Sequence, residues 1–164
     1  MLPPNHSPGA SMAQSRLVLT LGIVAGLIDL IAILIVQGLL GTSPVVVLQA
    51  IASAFMGREA FASAALPGAL GVLLHFLVSL AFSAVYAYAM RLPFAQRVPP
   101  SLRAVILGAA AFAFMTYVVL PLTVALIPRP ASAVMAAISI VSHICFFAAP
   151  IVYVHRRLTR ADSR

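Results

Sequence analysis

Asp29, His75 and His143 are chargeable side chains set inside long apolar runs of this sequence. The stretch "GVLLHFLVSL", residues 71–80, shows the setting of His75. A carboxylate and two imidazoles in apolar surroundings can pair as charges, pass protons near neutral pH, or offer lone pairs to a metal. A charged group at the centre of a membrane helix costs roughly 2.5–3.5 kcal/mol on insertion scales, so each should face protein or water rather than lipid.

The elements that must position these groups follow from composition. Of 164 residues, 63% are hydrophobic and 8% charged, against about 25% charged in an ordinary soluble domain. Four apolar runs, 17–40, 66–90, 102–127 and 131–154, each reach the roughly 20 residues a helix needs to cross a bilayer. Helices satisfy their own backbone in lipid, and the alternation of a membrane strand is absent. The expected fold is all-α: a polytopic membrane four-helix bundle in one domain, residues 16–155.

Between the first two runs, Ser43, Pro44 and Gly57 suit an N-cap, a first helical position and a C-cap. They bound a short helix over 44–56, too short to span, expected to lie in the extracytoplasmic interface or to dip back as a re-entrant element, in a position to form a lid. Ser101 is expected to cap the third span, and "PRP" at 128–130 to break the chain between spans three and four. Residues 1–15, rich in Pro and polar groups, read as a disordered cytoplasmic tail, and 156–164 as a basic one.

The net charge of +7 is placed as an orienting signal rather than a nucleic-acid surface. Arg16, Arg91, Arg97, Arg103, Arg156, Arg157, Arg160 and Arg164 fall on one side, and Arg58 and Arg129 on the other. By the positive-inside rule both termini are cytoplasmic. The basic tail is also suited to anionic headgroups, so the expected partner is the lipid bilayer, with a homo-oligomer or larger membrane complex left open and no nucleic acid.

Helical spacing gathers the polar residues. Gly22 and Gly26 form a small-residue pair on the stripe of Asp29. His75 shares a stripe with Gly68, Gly71, Ser79, Phe82 and Tyr86, and His143 with Ala136, Ser139 and Pro150. Counted from the outer ends, Asp29, His75 and His143 lie roughly 14–18 Å deep. Thr116 falls at a similar level on the third span, where Pro121 frees a carbonyl near Tyr117. The candidate site is therefore a midplane polar cluster of Asp29, His75, His143 and Thr116, with Ser79 and Ser139 as hydroxyl partners of the imidazoles.

Three readings compete. The cluster is interhelical glue, or a proton or ion path, or His75 and His143 are axial ligands of a b-type haem. A four-ligand metal site is not expected, because Cys145, two residues from His143, points elsewhere on the helix. Phosphate loops, nucleophile elbows, zinc-protease motifs and paired carboxylates are missing, so no enzyme is expected. "LGIVAG" at 21–26 and "LGAAAF" at 107–112 hint at a duplicated hairpin in which the histidines would be symmetry mates.

The segments "GIVAGLID", "VVVLQAIASAFMGREAF" and "LGVLLHFLVSLAFSAVYAYAM" resemble a group of small, hypothetical bacterial inner-membrane proteins. The resemblance covers most of 17–150. It implies a four-helix protein of the bacterial cytoplasmic membrane and supplies no activity, ligand or site. The expected role is that of a non-enzymatic accessory subunit or a small proton- or solute-linked transporter.

Overall fold

The computed structural model describes residues 8–127 and 132–161. Helix α1 spans Pro8–Leu39, α2 Pro44–Met56, α3 Ala65–Ala89, α4 Pro93–Arg97, α5 Pro100–Leu122 and α6 Ala133–Arg160. No strand occurs among the described residues. Helices α1, α3, α5 and α6 are long and apolar enough to cross a membrane. Leu19, Ile23, Leu27, Ile31 and Ile35 recur every fourth residue along α1 and stay about half exposed. Such a stripe belongs against lipid chains. This is a multi-pass membrane protein.

Several boundaries differ from the sequence reading. Helix α1 starts at Pro8, so half of the tail expected over 1–15 is helical; residues 1–7 lie outside the described part. Helix α6 continues through the basic segment, because Arg, Leu and Ala there are good helix formers and no Gly or Pro follows Pro150 to stop it. Ser101 does not cap α5: Pro99 takes the N-cap and Pro100 the first turn, where a missing N–H costs nothing. The regular third span ends at Leu122, short of 127, after Pro121. The "PRP" link at 128–130, Arg129 with it, lies outside the described residues.

Prolines also reshape both later spans. Residues Met115–Val119 and His143–Ala148 form π-turns. The N–H of Leu120 reaches back five residues to Met115, and that of Ala149 to Ile144. In each case the next residue is proline, Pro121 or Pro150, whose ring would collide with a carbonyl four residues back. Widening the turn by one residue relieves that collision.

Helix α1 is central, packed against α3 on one side and α6 on the other, and α6 packs against α5. Phe82 closes the remaining gap edge-on to Phe114 of α5 and Phe147 of α6, with centroids at 5.8 Å in both pairs. The buried core (Leu21, Ala25, Tyr86, Met90, Ala104, Ala111, Phe147 and Ile151 among others) lies toward the end of the bundle that carries the α3–α5 connection. Close approach needs glycine at Gly108, where a Cβ would come within 2.7 Å of Ile144 Cα.

At the opposite end α2 packs on α3, and a Cβ at Gly71 would strike the Leu48 carbonyl. Ser43 caps α2 by accepting from the Val46 N–H, and Gly57 ends it at φ 55°, a region open to glycine. Gln49 and Ser53 turn inward: Gln49 donates to the Ser63 carbonyl at 2.8 Å, and Ser53 Oγ accepts from the Leu126 N–H at 2.8 Å. The helix is thus tied both to α3 and to the chain leaving α5.

Gly108→Ala should lower stability by about 1–3 kcal/mol through overpacking against backbone. Gly38→Ala, where no atom lies within 4 Å of the new methyl, should raise it by up to about 1 kcal/mol. Thermal unfolding of the purified chain in detergent ranks the two, and an inverted order would contradict this packing.

Candidate functional site

The site begins with two glycines. A Cβ on Gly22 would meet Leu80 Cα at 3.0 Å, and one on Gly26 would meet Phe76 at 2.9 Å and Ser79 Oγ at 3.0 Å. Without those methyls α1 and α3 come close enough for backbone carbonyls to be reached from across the seam. Ser79 Oγ donates to the Gly22 carbonyl at 2.8 Å. His75 Nε2 lies 2.9 Å from the Gly26 carbonyl. The partners step by four residues on each antiparallel helix, so the two bonds form consecutive rungs.

A carbonyl oxygen only accepts, so this bond assigns a proton to His75 Nε2 and leaves the Nδ1 lone pair free in the neutral ring. Asp29 follows one turn after Gly26. Its Oδ2 is 3.9 Å from the same Nε2, beyond hydrogen-bond length. The two groups therefore interact as charges, most strongly when the ring holds a second proton. Both side chains are shielded, at 14% exposure for His75 and 20% for Asp29.

His143 is on α6, which packs against α1, and it acts on Asp29 only through its charge. His143 Nδ1 donates to the Ser139 carbonyl of its own helix at 2.7 Å, and its ring stands edge-on to Phe112 at 6.0 Å. Here Nε2 keeps the lone pair. His143 is also the first residue of the second π-turn.

The hydroxyls behave differently from the sequence reading. Ser79 donates to backbone rather than bonding His75: the Gly22 carbonyl across the seam is a strong acceptor at 2.8 Å, and the ring's own N–H is turned to the Gly26 carbonyl. Ser139 serves His143 through its carbonyl rather than its side chain. Thr116 is buried in the first π-turn, but the bonds of Asp29, His75 and His143 do not run to it. The histidines are not equivalent either: one bonds across the bundle and the other along its own helix.

Ser83, absent from the sequence-based cluster, is fully buried one turn below Ser79, and its Oγ has no partner among the described residues. One turn further, Tyr86 is buried, with its hydroxyl 3.5 Å from Arg103 Nη1. His75, Ser79, Ser83 and Tyr86 form a polar line down the inward face of α3, toward the arginine-bearing end. Ser83 was legible as the fourth-residue continuation of His75 and Ser79. Among the described residues no group of three His, Cys, Asp or Glu side chains is disposed to hold a metal ion, and Cys145 is exposed.

Comparison with family models, with curated proteins and with solved structures gives no match. The site is therefore judged on its own geometry: a charge pair, a second imidazole and a row of hydroxyls, without a nucleophile–base pair.

Ser79→Ala should cost about 0.6 kcal/mol, the average for an interhelical bond in a membrane, and remain below about 1.7 kcal/mol. Gly26→Val should cost more than Ser79→Ala, because it separates the seam and breaks the His75 rung with it. Unfolding in mixed micelles measures both; equal losses would contradict the two-rung seam.

Proposed function

We propose that this chain is a multi-pass protein of the bacterial cytoplasmic membrane, with both termini in the cytoplasm. It moves protons, or couples a solute to them, through Asp29 and His75, alone or as an accessory subunit of a larger complex. The distribution of arginine supports the orientation, since the Arg91–Arg103 connection shares one end of the bundle with both terminal helix segments. That orientation puts α2 on the extracytoplasmic side.

One observation carries the functional reading. A carboxylate and an imidazole 3.9 Å apart sit on a glycine-lined helix seam, with the Ser83 hydroxyl, unpartnered among the described residues, farther down the same face. With Nε2–H kept on the Gly26 carbonyl, the ring takes up and releases a proton at its free Nδ1, and the Asp29 carboxylate 3.9 Å from Nε2 stabilises the charged ring without moving. His143 adds a second titratable ring whose charge acts on the same carboxylate.

A second reading, a b-type haem held by His75 and His143, rests on the orientation of His143. Its Nδ1–H is fixed on a carbonyl and Nε2 retains its lone pair, the arrangement a ligating histidine adopts. His75 would first have to leave the Gly26 carbonyl.

In proteoliposomes given an acid pulse, the wild-type chain should dissipate the gradient faster than protein-free vesicles. Asp29→Asn should reduce that flux to background while keeping the helical circular dichroism of the wild type. Equal flux in the two proteins would refute the proton role. An absorption spectrum of the protein from haem-replete cells tests the second reading: a Soret band lost in His143→Ala supports it, and a colourless preparation excludes it.

A further inference from the structure

Away from the Asp29 cluster, at the end of the bundle where α3 stops and α5 starts, the helices enclose a recess of about 430 Å³. Arg91, Arg103, Arg156, His155, Gln96 and Thr159 are among the residues that line it, and no carboxylate from the described residues does. The two carboxylates of the described part lie elsewhere: Asp29 beside His75, and Glu59 in the turn Gly57–Phe61.

The recess is built rather than a chance gathering of surface charge. Arg103 is held at three points: Nε donates to the Val98 carbonyl at 2.8 Å, while Nη1 contacts Met90 Sδ at 3.0 Å and the Tyr86 hydroxyl at 3.5 Å. Gln96 donates to the Met90 carbonyl at 2.8 Å. Arg91 stands over the Tyr88 ring at 6.0 Å. The His155 ring packs edge-on to Tyr86 at 5.3 Å, and its Nδ1 is buried with no partner among the described residues. Three guanidinium groups brought together without a counter-charge among the described residues repel one another, and a buried ring nitrogen left without a partner among them is costly. An anion with several acceptor oxygens relieves both.

We propose that this recess binds one phosphate group, and that the group belongs to an anionic phospholipid. The chemistry is that of a guanidinium-lined phosphate site, and its source follows from position. The recess opens where all four spans reach the end of their apolar stretch, the level at which lipid phosphates lie. Arg103, fixed by its own bonds, supplies an immobile positive charge, and Arg91 and Arg156 offer guanidinium N–H groups from the rim.

The test uses the full chain in an uncharged detergent, titrated at constant ionic strength with short-chain phosphatidylglycerol, short-chain phosphatidylcholine or inorganic phosphate, with thermal unfolding as the readout. Phosphatidylglycerol should raise Tm saturably, at a midpoint at least tenfold lower than phosphatidylcholine. Arg91→Gln/Arg156→Gln should weaken that midpoint roughly tenfold or more, since each arginine near an anionic surface contributes about a fivefold factor. Arg91→Lys/Arg156→Lys should hold it within about threefold. If inorganic phosphate reproduces the shift at the same concentration, the phosphate chemistry stands and its source is soluble rather than lipid. Indistinguishable responses to the two lipids without a response to phosphate would overturn the proposal, as would an unaltered midpoint in the glutamine variant. Should that variant fail to fold, the salt dependence of the wild-type midpoint decides: weakening with salt supports the site, and no change overturns it.

Discussion

The close approach of α1 and α3 at Gly22 and Gly26 is the constraint on which the remaining geometry depends. A helical carbonyl already accepts one bond within its own helix, and its second lone pair is normally covered by neighbouring side chains. Two glycines one turn apart uncover two such lone pairs, and Ser79 and His75 occupy them. Those rungs fix the register of the antiparallel pair. Register in turn brings Asp29 beside His75 rather than a turn above or below it. Helix α1 also packs against α6, whose His143 acts on the same carboxylate through its charge.

Between this polar level and the arginine-lined end lies an apolar layer. Phe82, Phe114 and Phe147 meet edge to face across three helices, with Leu21, Ala148 and Ile151 fully buried around them. The inward face of α3 carries buried hydroxyls through it, at Ser79, Ser83 and Tyr86. Among them, Ser83 Oγ has no partner among the described residues. The π-turns of α5 and α6 border the same layer, and such turns are places where a helix can shift by one residue without losing its backbone bonds.

Much of the fold was legible because lipid leaves few solutions. Run length specified four spans, and Ser43, Pro44 and Gly57 marked a short helix between the first two. Capping and ends were less legible: Pro99 and Pro100 displaced Ser101, and α1 and α6 extended into segments whose polar composition resembles disorder. Of the site, helical spacing placed Asp29, His75 and His143 on inward faces, and Gly22 and Gly26 on a packing stripe. It could not foresee that glycine carbonyls would take the bonds assigned to hydroxyls, because backbone acceptors are the same at every residue until a close approach exposes some of them. The π-turns were half visible in Pro121 and Pro150, whose local effect depends on how the neighbouring helices resist a kink.

The central claim is that Asp29 is a group that exchanges its proton inside the bundle. A pH-difference infrared spectrum of the full chain in lipid tests this directly, with Asp29→Asn as the reference that removes Asp29 and leaves Glu59 and Asp162 in place. On acidification the wild type should show a protonated-carboxyl component, shifted in heavy water, in addition to those of Glu59 and Asp162 that the variant retains, and this added component should be missing from the variant. Identical difference spectra for the two proteins, over the whole pH range in which the helices persist, would contradict it.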